Sequence, residues 1–154
     1  MTITVHPHAH TLQIDPDPKR LDVAMIHAFL STSYWSPSIP RAVVERAIAG
    51  SRAWGVYDDG AQVAFARVVS DGATFAWLCD VFVLESHRGR GVARWLVATI
   101  LESPDLQGLR RFLLATRDAH PLYASVGFGP LRTPPERWME ILDRDVYARA
   151  QSSR

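Results

Sequence analysis

Residues 80–96, DVFVLESHRGRGVARWL, constrain this chain more than any other stretch. An apolar run suited to a strand ends in a charged bend. The bend sets Gly89 and Gly91 between arginines, and an apolar-periodic run starts at Val92. A strand that turns through glycine into a helix leaves the first helical N–H groups without intrahelical partners. The helix dipole adds partial positive charge at that end, and Arg88 and Arg90 add full charges. Glycine permits positive φ and a close backbone approach. The bend therefore suits an anion, above all a phosphate or pyrophosphate.

Neither common nucleotide fingerprint fits it. No Lys-Ser or Lys-Thr pair follows the glycines, as a Walker A loop requires. Gly89-Arg90-Gly91 is followed by Arg94 where a dinucleotide fingerprint needs a small residue. The strands upstream also read as an antiparallel meander: Trp54–Tyr57, Gln62–Ser70 and Thr74–Leu84, with turns at Asp58–Gly60 and Asp71–Gly72. Ahead of them, Asp22 caps a helix running to about Ser31, with Val23, Ile26, His27 and Leu30 on one face. Pro40 starts a second helix that Gly50 ends, and STSYWSPSIP joins the two. Beyond the bend we expect a helix over Gly91–Leu101, a strand over Phe112–Thr116 and a short helix over Pro121–Val126. A strand from Phe128 and a last one over Met139–Leu142 complete the reading. Residues 1–20 read as an arm or first strand and 143–154 as a tail. The mixture is α+β around one central sheet, and 154 residues suit a single domain, 1–154.

Charge and cysteine content exclude several classes. A formal net charge of +1 gives no general attraction for nucleic acid. The longest apolar stretch, ATFAWLCDVFVL, is broken by Asp80 and is too short to span a bilayer. MTITVHPHAH lacks a basic segment followed by an apolar one, so the expected location is cytoplasmic. Cys79 is the single cysteine, which excludes an internal disulfide; with no evident base beside it, it reads as a small core residue. His6, His8 and His10 alternate as strand residues do. No acidic or Cys partner is near them, so a strand or arm is expected there and no metal.

HRGRGVA has the form [QR]-x-x-G-x-[GA], with Arg88, Gly91 and Ala93 at the defining places. It resembles motif A of the GCN5-related N-acetyltransferases, the GNAT superfamily. Downstream, ATRDAHPLYASVGF carries Ala119, Tyr123 and Gly127-Phe128 as that family's second familiar stretch does. The resemblance covers about residues 22–142. It implies an acyl-CoA N-acyltransferase fold, a mixed and mostly antiparallel sheet flanked by helices, with acetyl-CoA as co-substrate. The amides of Arg88, Gly89, Arg90, Gly91, Val92 and Ala93 would bind its pyrophosphate. The strand Val81-Phe82-Val83 would pair its pantetheine arm through the main chain. Thr116 stands where the family often has an Asn that holds this arm.

Aminolysis of a thioester needs a neutral amine and a proton for the departing thiolate. Tyr123 lies where the family carries its general acid. Asp80, in an apolar setting that would raise its pKa, is the first candidate base, with a structural carboxylate an equal reading; Glu85, Asp118 and His120 are weaker candidates. In this fold the segment between the first two helices covers the acceptor pocket, so Tyr34 and Trp35 are expected to wall it, joined by Trp77 and Trp138. Trp54 and Trp95 read as core residues. The function expected is acetyl transfer to a primary amine of a small molecule or protein by direct attack on the thioester. The alternative is a non-catalytic acyl-CoA-binding or regulatory module, which would more often lack Tyr123. Exposed sheet edges suggest a homodimer.

Overall fold

Six strands form one sheet in chain order: β1 (Thr4–His6), β2 (Ala9–Asp15), β3 (Arg52–Asp58), β4 (Ala61–Ser70), β5 (Phe75–Val83) and β6 (Arg111–Leu113). The structure, a computed structural model, describes residues 2–7 and 9–152. Neighbouring strands are antiparallel except β5 and β6. Those two are parallel because the chain between them crosses over through a helix, α3 (Val92–Leu101). The N-terminal segment thus supplies two strands. His6 packs edge-on against Trp95 at 4.7 Å, while His8 lies outside the described residues.

Helices α1 (Val23–Leu30) and α2 (Arg41–Ala49) fall between β2 and β3. Asp22 caps α1, its side chain accepting from the Met25 amide at 3.0 Å; Gly50 closes α2. Ile26, Leu30, Val44 and Ile48 turn inward with Phe65 and Phe82 to form a core on one sheet face. On the other face Val92, Leu96, Val97 and Ile100 of α3 pack on Trp54, Val56, Val68 and Leu78. Helical periodicity in the sequence thus gives each helix one apolar stripe, and each face of the sheet receives one such layer.

The end of the chain differs from expectation. Strand β6 stops at Leu113, not Thr116, because the chain must leave the sheet to enter α4 (His120–Ala124). Neither Phe128 onward nor Met139–Leu142 pairs as a strand. A short 3-10 turn at Pro135–Arg137 leads instead through a segment without regular structure into α5 (Val146–Ser152). Pro130, Pro134 and Pro135 account for the first departure, since proline removes ladder donors. No helix of the described residues is long and apolar enough to cross a membrane.

Candidate functional site

One irregularity in β5 shapes the site. Phe65 pairs with Phe82 and Arg67 with Cys79, so Ala66 alone faces both Asp80 and Val81. This β-bulge places Asp80 at φ +54°, a left-handed conformation that Asp tolerates better than most residues. Strand β6 pairs with β5 only from Phe75 to Trp77. Beyond that the two part, and the far edge of β5 through Val81 is left open beside the groove.

The groove's floor is the bend. Gly91 is the N-cap of α3 at φ +75° and Gly89 stands at φ +71°. No side chain caps the helix. Among the described residues the amides of Gly89, Arg90, Gly91, Val92, Ala93 and Arg94 have no protein acceptor; the first α3 bond runs from the Trp95 amide to the Gly91 carbonyl at 3.0 Å. Six consecutive donors are therefore available at the positive end of the helix dipole. The Arg88 amide, expected among them, is already bonded to the Glu85 carbonyl at 3.2 Å, because Glu85–His87 winds as a 3-10 turn. The Arg88 side chain also turns back, its Nε donating to the Val83 carbonyl at 3.1 Å. His87 anchors the bend to β3, its Nε2 lying 2.9 Å from Asp58 Oδ2.

Two cavities meet at this groove. One, of about 640 Å3, runs from the glycine bend past Val83 and Val81 to Tyr123. The other, of about 540 Å3, lies beyond it between Arg67, Trp77, Asp80 and Tyr147. Tyr34, Trp35, Val81, Arg117 and Tyr123 line both and so form the passage between them.

The α1–α2 segment bridges the parted strands at this passage. Trp35 Nε1–H donates to Asp80 Oδ1 at 3.0 Å, on the β5 side. Tyr34 Oη accepts from the Arg117 amide at 3.1 Å on the β6–α4 side, and the Arg117 guanidinium lies 3.9 Å above the Tyr34 ring. Ser33 and Ser36, both buried, hold the segment's turn by donating their hydroxyls to the Leu30 carbonyl. A Ser- and Pro-rich loop is thereby fixed by local side-chain bonds.

Asp80 does not have the apolar setting expected of it. Arg67 Nε donates to its Oδ2, and the pair is largely buried. Arg67 also donates to Ser51 Oγ at 3.1 Å. Tyr123 is half-buried on α4, edge-on to Phe128 at 6.0 Å, and its hydroxyl has no hydrogen-bond partner among the described residues. Burial pushes its pKa up to about 12. The half-buried Cys79 thiol is pushed up to about 11, also by burial, and is no ready nucleophile.

Other expected residues sit elsewhere. Phe82 is buried, stacked on Phe29 at 3.9 Å between centroids, so only its main chain is near the groove. Thr116 faces the second cavity, not the first; its hydroxyl accepts from the Ala119 amide at 3.1 Å and holds the turn into α4. Trp138 lies away from both cavities, against the Arg111 guanidinium. Glu85 and His120 are exposed outside both cavities, whereas Asp118 lines both, paired with Arg117. Arg67, Arg117 and Tyr147 were not anticipated. An arginine inside the apolar run VAFARVV was the available signal for the first; the other two are brought in by loop and tail geometry that has no periodic signature.

Known proteins share this chain's sequence pattern and fold. The sequence model of the Acetyltransferase (GNAT) family matches residues 22–128. FG08082 of Gibberella zeae, described as a candidate acetyltransferase, is 31% identical over 133 residues, covering 71% of this chain and 74% of its own. A Xanthomonas campestris protein assigned to the GNAT family, also described as a candidate acetyltransferase, has a crystal structure that superposes with a TM-score of 0.85. It is 50% identical, with 89% of this chain and 96% of that chain covered. A Clostridium acetobutylicum protein crystallised with acetyl-CoA shares the fold at a TM-score of 0.60 and 12% identity, over 85% of this chain and 94% of that one.

Proposed function

The chain belongs to the GNAT acetyltransferase family and is an acyltransferase; from that premise we propose that it moves an acetyl group from acetyl-CoA to the primary amine of a small molecule. The observation that carries this reading is the run of six amides, Gly89 to Arg94, with no acceptor among the described residues. These amides lie at the positive end of the α3 dipole with no side-chain cap over them, so the run suits a polyanion such as a pyrophosphate. Arg90 and Arg94, both exposed beside it, add charge. The open edge of β5 offers the main-chain groups of Val81 and the Val83 amide to an extended amide-bearing arm, the Val83 carbonyl already accepting from Arg88 Nε. The residues present therefore fit the coenzyme.

Acetyl-CoA supplies the thioester carbonyl that the amine attacks. Tyr123, at the junction of the two cavities, donates a hydrogen bond to the departing sulfur. With its pKa near 12 it keeps its proton throughout the neutral range. It therefore acts as a donor and not as the base. Asp80 acts in this reading as a positioning residue: it holds the bulge that parts β5 from β6, and it fixes Trp35 over the passage. The amine would lose its proton to solvent through the second cavity, and the departing thiolate, held by the Tyr123 hydrogen bond, would take a proton back from solvent. Aromatic walls from Tyr34, Trp35, Trp77 and Tyr147 favour an acceptor with an apolar or ring-bearing body, and about 540 Å3 is a small-molecule volume. A purely coenzyme-binding module would have no use for Tyr123 at that junction.

Calorimetry with acetyl-CoA on the parent and on Gly91→Glu tests the site. The parent should bind and the variant should not, by bulk and by like charge. Equal affinity would remove the bend from the reading. An amine-library screen following free thiol release then identifies the acceptor; binding without thiol release from any amine would favour the non-catalytic module.

A further inference from the structure

The face of the sheet opposite α3 is only half covered. Helices α1 and α2 lie over Phe65 and Phe82. Further along the same face, Val69 pairs directly with Trp77, and Phe75 follows two residues before it. All three are exposed, with Trp77 at 37%. The irregular segment 138–142, WMEIL, emerges beside them, since Trp138 lies 4.9 Å over the guanidinium of Arg111, which pairs with Phe75. Met139 is 97% exposed, Ile141 fully and Leu142 56%. The segment is held at both ends. Beyond it Tyr147 packs on the α1–α2 core, and Gln151 Nε2 donates to the Ser38 carbonyl at 3.0 Å. Between those anchors its apolar side chains have no cover.

We infer that a second copy of this chain covers this surface, the 138–142 segment of each protomer lying on the Val69–Phe75–Trp77 face of the other. Three observations select that occupant. The two apolar patches adjoin on one side of one molecule, which is what a self-complementary two-fold contact requires. Seven large apolar residues, Val69, Phe75, Trp77, Trp138, Met139, Ile141 and Leu142, are exposed across the two patches, a set large enough to supply most of the roughly 800 Å2 that one partner contributes to a stable interface. Glu140 in the segment and Arg110 at the edge of β6 are exposed charges of opposite sign, each without an ion-pair partner among the described residues. An exposed apolar strand-like segment beside an exposed sheet edge is otherwise a liability for aggregation. Trp77 and Tyr147 also line the second cavity, so the partner's segment would wall its open side. That last consequence rests on the acetyl-transfer reading; the dimer itself does not.

Sedimentation equilibrium of the full chain from roughly 1 to 100 μM, spanning the range of stable and transient dimers, reads mass and not turnover, so its failure leaves acetyl transfer untouched. The parent should sediment as two chains. Met139→Glu combined with Ile141→Glu, and separately Val69→Lys, should each weaken association by on the order of 100-fold or more, with unchanged circular dichroism. A parent that stays a single chain throughout overturns the inference, as do variants that still dimerise like the parent. Hydrogen exchange on the parent covers the case of a variant that does not fold. Exchange in 138–142 should slow as concentration rises; a rate independent of concentration also overturns it.

Discussion

Replacing Asp80 by Asn separates structural from catalytic accounts of the bulge. Asn tolerates the left-handed φ of +54° and still accepts from Trp35 Nε1, so the backbone and that bond are kept. What is lost is the negative charge facing Arg67. The two side chains keep only 10% and 18% exposure, so the guanidinium is left largely buried without a counter-charge. Breaking a buried pair from one side costs 3–5 kcal/mol, and partial exposure places this one at the lower end, about 3 kcal/mol. For a chain of this length that is a melting-point drop of roughly 6–12 °C by circular dichroism. Arg67→Met should cost a similar amount, and the double variant less than the two together, since the second change removes the orphaned partner of the first. Turnover well below the melting point should fall comparably in both single variants, because each loosens the bulge. A melting-point change under about 2 °C in Asp80→Asn would refute the energetic reasoning. Loss of turnover in Asp80→Asn alone, with loss of an acid limb in its pH profile, would return the residue to the role of base.

Tyr123→Phe should leave acetyl-CoA affinity in calorimetry unchanged while kcat falls by about 10²-fold or more, the usual range for loss of a hydrogen-bond donor aimed at developing negative charge; equal turnover would remove its role. Because burial holds its pKa near 12, the parent's kcat should show no decline governed by an ionisation near 10, and a fall there would contradict the buried setting. Tyr57 and Tyr123 are both raised from 10 to about 12, so their contribution to stability is fully present below pH 10 and is lost as pH rises from 10 to 12. A melting temperature that stays flat through that window would contradict both shifts. Gly55→Ala would set a Cβ 2.6 Å from the Tyr57 hydroxyl and 2.8 Å from its ring, in a core where Tyr57 is also held under the Arg20 guanidinium. A destabilisation of about 1–3 kcal/mol in urea is expected, and an unchanged midpoint would show that the ring moves freely.

The elements most legible in the sequence are those whose signals are local. Asp22 before an apolar-periodic run, Gly50 after one, and Gly91 between a strand and α3 mark helix ends by capping chemistry alone. The expectation that the bend takes an anion follows from the same chemistry, although winding of Glu85–His87 withdraws the Arg88 amide. The bulge was not legible. It arises from register between β4 and β5, and nothing in DVFVL marks Asp80 as the residue that takes positive φ. The expected strand at Met139–Leu142 had the right alternation but found no neighbour on its own sheet. Alternation specifies a strand that needs a partner, and it does not say on which molecule the partner is.

The bulge, the bend and the bridging segment answer one geometric problem. A parallel neighbour reached through α3 would normally pair with β5 along its length and close the edge. Strand β6 ends at Leu113 opposite Trp77, and three residues further on Asp80 turns β5 through its bulge, held by Arg67 and Trp35. The opening is what exposes Val81 to the groove and aligns it with the free amides at Gly91. The Tyr34–Arg117 contact then closes the opening from above, leaving a passage rather than a slot. If acetyl transfer runs through this passage, it depends on a bulge residue whose carboxylate is taken up by Arg67 and Trp35, which is why the Asp80–Arg67 pair, and not the glycines alone, is the place where stability and activity should fall together.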